Sequence, residues 1–354
     1  MAIFYIILSL FLIITPSLYF LYIFKNMKKT WRYSLLTCTC LSVLTILIKV
    51  LIKPTALIWQ YWFPIVSFYI ITCLIIFIMI AIYRLFCHVF HKKDPSHIIM
   101  IIGILALIIS SFGTFEHFHK QKTNYEVSIN KDTSLSSLKI AFISDIHLGN
   151  GTYPSHIDQL VSTLNQGNYD LICLGGDLFD ETTPESDIHQ SFDALSHIKS
   201  TYGIFAVSGN HERYTSSSNQ ELYQKYHITY LNNDFVCIDH LFNIIGREDV
   251  SSPHQTSLSQ ICQGMDLSLP TIILDHNPAR YQENQEFADL QLSGHTHAGQ
   301  IFPGNIITNM IYHHDYGLFQ QNHFSLIVSS GYGSWGFPFR IMTQCEYLEI
   351  HVLF

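Results

Sequence analysis

Four long apolar stretches lie within the first 123 residues, and they constrain this chain more than any other feature. They run approximately over residues 2–24, 34–51, 62–86 and 98–115. A helix needs about 20 apolar residues to cross the hydrocarbon core of a bilayer, and each stretch approaches or exceeds that length. A cleaved signal peptide would begin with a basic segment, and none precedes Ala2. Since four such runs in succession also argue against buried helices of a soluble domain, we expect a helical membrane anchor with about four spans.

The charge of the chain divides at the same place. Residues 1–123 contain 11 Lys and Arg against 2 Asp and Glu, whereas residues 124–354 contain 8 against 25. The two parts therefore carry balances of +9 and −17 within a net charge of −8. This shift predicts two domains, an anchor over 1–123 and a second domain over 124–354. The acidic balance of the second domain argues against a nucleic acid as partner.

Basic residues between the apolar stretches predict how the anchor is oriented. The loops after the first and third stretches contain Lys25, Lys28, Lys29, Arg32, Arg84, Lys92 and Lys93. Basic loops favour the cytoplasmic side, so four spans would place both termini and the second domain outside the cytoplasm. The cysteines of the second domain point the other way, since free thiols favour a reducing compartment. We give the loop charges more weight and expect a multi-pass protein of the cell membrane with an extracytoplasmic domain.

The second domain alternates short strand-like runs with amphipathic segments. Apolar residues recur at spacings of three and four over 155–166 and 185–199, which predicts two helices. Runs such as LKIAFIS, LICLGG, IFAVSG, TIILD and LQLSG are typical of buried strands. Strands that alternate with helices indicate an α/β domain.

Polar residues follow five of these strand-like runs. They are Asp145, His147, Asp177, Asn210, His211, His276, His295 and His297. In open α/β sheets, sites form beyond the carboxyl ends of the strands, so we expect these side chains to converge. Asp, Asn and His without Cys suit divalent cations such as Mn, Fe, Co or Zn. The set is too large for one ion and sufficient for two, and two adjacent ions can clamp a phosphate oxygen and activate a water.

The motifs DIH, GGDLFD, SGNHE, DHNP and SGHTHAGQI, in this order, resemble those of the calcineurin-like metallophosphoesterases. The resemblance extends over residues 138–354 and is greatest to a membrane-anchored bacterial branch, which includes enzymes that cleave UDP-2,3-diacylglucosamine. It implies a four-layer α/β/β/α sandwich after the transmembrane helices. It also implies two divalent ions (Mn, Fe or Zn) and hydrolysis of a phosphoester or pyrophosphate by a hydroxide that bridges them.

The resemblance also implies a role for each residue. The first ion would be held by Asp145, His147 and His297, and the second by Asn210, His276 and His295, with Asp177 bridging the two. His211 would act on the substrate, by stabilising the transition state or protonating the leaving group. The closing SSGYGSWGFPFR resembles a Gly-rich loop of that branch, and its Arg340 would contact a substrate phosphate, unless it is only a cation at a strand edge.

The anchor indicates a substrate in or near the lipid bilayer. Outside the cytoplasm this would be a lipid phosphate or a precursor of an envelope polymer, and inside it a UDP-linked lipid precursor. The alternative function is a catalytically silent membrane sensor or scaffold that binds metal. The chain retains every ligand position of the motifs and His211, which favours the enzyme.

Overall fold

Four helices form the N-terminal part of the chain: α1 Ala2–Ile23, α2 Lys29–Ile52, α3 Leu57–Val89 and α4 His97–Phe118. The computed structural model describes residues 2–23, 29–52, 57–91, 97–212, 219–253 and 255–354. Within these ranges three segments are long and apolar enough to cross a membrane: Arg32–Ile52, Trp59–Val89 and Ile98–Phe118. The first helix contributes the shorter apolar segment Leu10–Tyr22. The basic residues Lys25, Lys28, Lys92 and Lys93 of the orientation argument lie outside the described residues.

The chain divides into two compact units, Met1–Phe115 and Glu116–Phe354. In the N-terminal unit, polar side chains pair with one another across helices: Thr39 Oγ1 donates to Ser17 Oγ at 2.8 Å, and Trp62 Nε1 donates to Thr45 Oγ1 at 2.9 Å. Large apolar side chains such as Ile65 are left exposed. Polar groups that are paired internally and an apolar exterior are what a bilayer requires of a helical bundle.

The C-terminal unit contains twelve described strands. They are β1 Lys120–Ser128, β2 Ser137–Ile143, β3 Leu171–Leu174, β4 Ile204–Ala206, β5 Thr229–Tyr230, β6 Asp234–Ile238, β7 Phe242–Gly246, β8 Thr271–Leu274, β9 Leu290–Ser293, β10 Gly317–Gln321, β11 Phe324–Val328 and β12 Cys345–Leu353. They form two six-stranded sheets with the orders β1-β12-β2-β3-β4-β5 and β10-β11-β9-β8-β7-β6. The described helices of this unit are α5 Pro154–Gly167, α6 Glu185–Ser196, α7 Asn219–Lys225, α8 Leu258–Ile261, α9 Tyr281–Asn284 and α10 Gly304–Tyr312.

The alternation of side chains along the strands builds the layers. On β2, Phe142 faces the second sheet and packs in one buried cluster with Leu274 and Leu292, whereas Ile143 belongs to a cluster with α5 and α6. On the far face of the second sheet, Ile245 of β7 packs against residues of α8. The order is therefore helices, sheet, sheet, helices, and the expected α/β/β/α sandwich is confirmed.

Parallel pairing places the loops of the motifs at one edge of each sheet. Strands β2, β3 and β4 run parallel in the first sheet, and β7, β8, β9 and β11 run parallel in the second. Parallel strands end at the same edge, so the segments that follow β2, β3, β4, β8 and β9 can meet where the two sheets lie against each other.

A buried carboxylate, Glu349 on β12, ties neighbouring strands together. Its Oε2 lies 3.2 Å from both Lys122 Nζ of β1 and Lys139 Nζ of β2, and 2.9 Å from Tyr169 Oη. His351 adds a contact at 3.1 Å to the other oxygen. Burial raises the pKa of Glu349, but these partners outweigh it and lower the pKa to about 2.

Candidate metal centre

The structure brings the side chains that follow five strands into one buried centre. Their ligand atoms form three overlapping groups, in each of which the atoms lie within 4.8 Å of one another: Asp145, His147 and His297; His147, Asp177 and His211; and Asp177, His276 and His295. Because His147 and Asp177 are shared, the groups form a single centre. Both sheets supply residues to this centre, since Asp145 follows β2 of the first sheet and His276 follows β8 of the second.

Five residues of this centre have left-handed backbone conformations. The φ angles are 53° at Asp145, 48° at His147, 53° at Asp177, 71° at His295 and 51° at His297. Residues other than glycine rarely adopt such angles, and each costs about 1–3 kcal/mol unless the surroundings impose it. Such strain is common at functional sites, and here it turns each ligand side chain away from the line of its strand.

Two glycines lie directly against the carboxylates of the centre. A Cβ at Gly294 would overlap Asp145 Oδ2, and a Cβ at Gly209 would overlap Asp177 Oδ1. The space beside both carboxylates therefore depends on the absence of a side chain at these positions.

Hydrogen bonds set the tautomers of two histidines. His147 Nδ1 lies 2.7 Å from Asp180 Oδ1, and His276 Nδ1 lies 2.7 Å from the carbonyl oxygen of Gly175. Because a carboxylate and a carbonyl only accept, each Nδ1 donates, and in the neutral imidazole each Nε2 would direct a lone pair into the centre. Histidines that bind metal typically donate their second nitrogen to such partners.

The ring atoms that face inward meet at short distances. The Nε2 atoms of His147 and His297 are 3.0 Å apart, and His276 Nε2 is 3.1 Å from Asp177 Oδ2. In the described part of the chain, the buried Asn210 Oδ1 has no hydrogen-bond partner. Buried polar atoms are rarely left unsatisfied. Converging imidazoles and carboxylates with an orphaned amide oxygen fit a pair of divalent cations.

Electrostatics favour the metal-binding protonation state at Asp177 and His297. At His147 and His276 burial lowers the pKa, but the carboxylates of Asp180 and Asp177 outweigh it and raise the pKa of both imidazoles. Burial alone would raise the pKa of Asp177, but the imidazole of His276 outweighs it and holds that pKa well below its usual range. Burial, together with the neighbouring His147 and Arg340, lowers the pKa of His297 well below its usual value. An ionised carboxylate and a neutral imidazole are the forms that bind a metal.

His211 lies at the edge of the centre and is held by acidic neighbours. Its Nδ1 is 3.0 Å from Asp180 Oδ1 and 3.5 Å from Glu181 Oε2, and its ring centroid is 6.4 Å from that of Trp335. Burial lowers the pKa of His211, but Asp180 outweighs burial, and with Glu181 and Asp177 it raises the pKa to about 12. A cationic imidazole in this position is suited to a phosphoryl group.

Asp180 therefore contacts both a predicted metal ligand and the predicted transition-state histidine. From its place in the GGDLFD motif, the sequence predicts only a supporting or structural role for Asp180. Its other oxygen accepts a hydrogen bond from Asn150 Nδ2. Because Asp180 Oδ1 serves His147 and His211 together, this one carboxylate fixes the positions of both rings.

Glu212 joins two of the loops that carry the ligands. Its Oε2 accepts from the backbone N–H groups of Asp177 at 3.0 Å and Gly209 at 2.9 Å, and its Oε1 accepts from that of Leu178. Burial and the charge of Asp177 raise the pKa of Glu212 to about 7. The carboxyl group holds the loops that follow β3 and β4 in register.

The guanidinium of Arg340, which the sequence predicts to contact a substrate phosphate, is surrounded by groups of the protein itself. The side chain is 0% exposed. Its Nη2 donates to the carbonyls of Ser330 and Gly333, both at 2.6 Å, and lies 3.1 Å from His297 Nδ1. Its Nη1 donates to the carbonyl of His297 at 3.3 Å. The guanidinium thus binds the Gly-rich loop and the predicted ligand His297. Several carbonyl oxygens converge there, and a guanidinium can donate to all of them at once.

Tyr312 is a further residue of the site that sequence reasoning missed. Its Oη lies 3.0 Å from His295 Nε2, and it belongs to α10. No motif marks it, and only its place in a short helix soon after the GHTH motif could have drawn attention to it.

The comparisons with known proteins agree with this geometry. The sequence model of the family described as calcineurin-like phosphoesterase matches residues 138–299. An uncharacterized metallophosphoesterase of Helicobacter pylori (strain ATCC 700392 / 26695) is 30% identical over 71% of this chain and 70% of its own length. One from Campylobacter jejuni is 29% identical over 82% of both chains. A transmembrane protein with metallophosphoesterase domain from Danio rerio is 30% identical over 70% of this chain and 62% of its own.

This chain belongs to the calcineurin-like phosphoesterase family and is a metal-dependent phosphoester hydrolase. The family resemblance found in the sequence is confirmed. The finer likeness to a bacterial branch and to enzymes that cleave UDP-2,3-diacylglucosamine stays a prediction.

Proposed function

We propose that this protein is a multi-pass, membrane-anchored hydrolase that uses two divalent ions to cleave a phosphoester or pyrophosphate of a lipid-linked or envelope-related substrate. The observation that carries the proposal is the convergence of ligand atoms from both sheets in one centre, with the Nε2 atoms of His147 and His276 directed inward. A cation would explain why this set buries converging carboxylates and imidazoles together with Asn210 Oδ1, which has no hydrogen-bond partner.

Two of the three groups of ligand atoms support the assignment of roles, and Asn210 is added from the resemblance of its SGNHE motif. We assign Asp145, His147 and His297 to one ion, Asn210, His276 and His295 to the other, and Asp177 to a position between them. When bound, two such ions supply Lewis acidity to the phosphoryl oxygens and to the attacking water.

The remaining chemistry belongs to side chains around the ions. Asp180 orients His147 through Nδ1 and keeps His211 protonated. The protonated His211 stabilises negative charge on the phosphoryl group, or donates a proton to the leaving oxygen. The glycines beside Asp145 and Asp177 leave room for the substrate to approach.

The test uses the full-length protein in detergent, stripped of metal and then supplied with Mn²⁺. We expect hydrolysis of a chromogenic phosphodiester only after the metal is added, and a loss of about a hundredfold or more in Asp177→Asn. Asp187→Asn, on α6, is the matched control and should keep its activity. Tight metal binding without hydrolysis of any phosphoester would contradict the proposal and favour the sensor or scaffold.

Membrane topology is tested separately. The proposal that the C-terminal unit is extracytoplasmic rests on loop charges. Cys237 on β6 is exposed and offers a chemical probe. A membrane-impermeant maleimide should label Cys237 in right-side-out vesicles and leave Cys237→Ser unlabelled at that position. Labelling of Cys237 in inside-out vesicles alone would place the unit in the cytoplasm and favour a UDP-linked lipid precursor.

A further inference from the structure

The outward face of α10 is a feature of the C-terminal unit that its proposed chemistry does not explain. Ile306, Ile307, Met310 and Ile311 are 51%, 57%, 74% and 63% exposed. Because a helix turns about 100° per residue, these four positions share one side of α10. Surface helices of soluble domains turn their apolar side inward, so the orientation of α10 is inverted.

Hydrogen bonds on the polar side hold α10 in this orientation. Thr308 Oγ1 donates to Asp315 Oδ2 at 2.5 Å, and Asn309 Nδ2 donates to Asp315 Oδ1 at 3.1 Å. Tyr312 Oη lies 3.0 Å from His295 Nε2 on the same side of the helix. Turning the apolar side inward would break these contacts, so the exposure of the isoleucines is built into the unit.

The apolar surface continues beyond the helix and carries no charge. Phe302 is 49% exposed and Met342 is 71% exposed, and the two segments adjoin because Phe302 N donates to Ile341 O at 3.2 Å. From Leu290 to His314 the sequence contains no Asp, Glu, Lys or Arg. Contiguous exposed apolar surface of this kind marks a contact with a partner or a membrane.

This surface borders the metal centre. Tyr312 connects α10 to His295, and Trp335, which is 36% exposed, lies near His211. Whatever covers the outward face of α10 is therefore brought close to the predicted position of the substrate phosphate.

The chain enters the C-terminal unit at the same place. His117, in the last turn of α4, belongs to this unit, and its Nδ1 lies 2.9 Å from Ser334 Oγ in the Gly-rich loop that also contains Trp335. One residue, His119, separates the end of α4 from the start of β1. The helix that ends here contains one of the three segments able to cross a membrane. The residues by which the chain enters the C-terminal unit therefore lie against the Gly-rich loop.

We propose that the outward face of α10, with Phe302 and Met342, inserts into the bilayer that holds the N-terminal helices, so that the metal centre takes phosphates of lipids in that bilayer. The second half of this statement rests on the proposed hydrolase. A bilayer fits better than a protein partner because the exposed side chains are mainly aliphatic and residues 290–314 contain no Arg, a residue that is enriched in protein interfaces. The N-terminal helices also keep the bilayer at a high effective concentration, and an uncharged surface lets an acidic unit approach anionic headgroups.

Photolabelling tests the membrane contact without any need for activity. The full-length protein is placed in nanodiscs that contain a phospholipid with a diazirine in its acyl chain, and modified residues are mapped by mass spectrometry. We expect label on residues 301–311 and on Met342 as well as on the apolar N-terminal helices. Label confined to the N-terminal helices would overturn the proposal, as would crosslinks from α10 to α10 of a second copy of the chain.

The substrate preference tests the consequence for hydrolysis. We compare the rate on a long-chain phospholipid with the rate on a water-soluble chromogenic phosphodiester in nanodiscs. The ratio should fall about tenfold in Ile307→Ser/Met310→Ser, since about 1.4 kcal/mol of lost apolar transfer corresponds to that factor. It should stay within twofold in Leu267→Ser, a residue 44% exposed that precedes β8 at the end of the strand opposite the centre.

The two experiments separate the two proposals. An unchanged ratio in the double variant would overturn the lipid specificity. Label on α10 without hydrolysis of either substrate would overturn the hydrolase and leave the membrane contact standing.

Discussion

Replacement of Asp180 by asparagine is the sharpest test of how the centre works, because one carboxylate contacts two histidines with different proposed tasks. Asp180 Oδ1 lies 2.7 Å from His147 Nδ1 and 3.0 Å from His211 Nδ1. Asparagine keeps the shape and one acceptor oxygen but removes the charge. A neutral acceptor is about half as strong as a charged one, so each contact should lose about 1–1.5 kcal/mol.

This loss translates into two expected changes. Weaker orientation of His147 should reduce metal affinity about tenfold, and kcat/KM at neutral pH should fall about 10–100-fold. The pH profile should also change shape. Asp180 is the main cause of the raised pKa of His211, which is about 12. Without that carboxylate, only Glu181 and Asp177 oppose burial, so the pKa of His211 should fall and the protonated form should be lost at a lower pH than in the wild type.

The assay combines titration of the metal-free protein with Mn²⁺ and measurement of kcat/KM between about pH 5 and pH 9. The wild type should show no loss of activity from deprotonation of His211 in this range, and Asp180→Asn should lose activity toward the alkaline side. Bound cations would lower the pKa of His211 in both proteins, so the difference between the two profiles isolates the carboxylate. Asp193→Asn, exposed on α6, is the matched control. The same metal affinity and the same profile in Asp180→Asn and wild type would refute the reasoning.

Three further substitutions test the surroundings of the centre. Arg340→Lys keeps the charge, but the ammonium group cannot reach all the carbonyls that the guanidinium satisfies, so we expect a loss of stability of about 1–3 kcal/mol and weaker metal binding through His297. A higher KM with unchanged thermal unfolding would instead indicate that Arg340 contacts the substrate. Gly294→Ala should weaken metal binding and destabilise the unit by about 1–3 kcal/mol, because the new Cβ would overlap the carboxylate of Asp145. In the control Gly103→Ala the new Cβ meets no atom within 4 Å, so metal binding and stability should stay unchanged in the same titration. Glu349→Gln should lower the unfolding temperature most near neutral pH. Since the pKa of Glu349 is about 2 in the folded protein and 4.5 ordinarily, the difference in unfolding temperature from wild type should shrink below about pH 4.5 and vanish near pH 2. A difference that does not vary with pH would contradict this account.

Much of the fold could be predicted because the parallel strands leave a strong pattern. Continuous apolar runs followed by Gly, Asp or His identify β2, β3, β4, β8 and β9 and the loops after them. The strands β6 and β10 were missed. Both lie at the edges of the second sheet and pair with a single neighbour, and their side chains are mostly exposed or half-buried. A strand with so little burial has no distinct hydrophobic pattern to reveal it.

The members of the centre could be predicted from residue type and position, but their partners could not. Asp180, Tyr312 and Arg340 act through contacts that depend on how distant segments fold back: 33 residues separate Asp180 from His147, and 43 separate Arg340 from His297. A lone arginine in a Gly-rich loop has the same sequence appearance whether its guanidinium faces substrate or backbone carbonyls. Only the burial of Arg340 distinguishes the two.

Two departures from ordinary local preferences lie side by side in this unit, and each requires something outside the polypeptide. Five ligand residues have left-handed backbones, and α10 presents its apolar side outward. Neither feature lowers the energy of the isolated chain, since the first costs backbone strain and the second leaves aliphatic surface in water. Violations of this kind are expected at functional sites, where the compensating interaction comes from a ligand or a partner. On the proposed function, a pair of cations would compensate the first and a bilayer the second, and the contact between His295 and Tyr312 would join them. A phosphate at a membrane surface is the substrate that would need both at once.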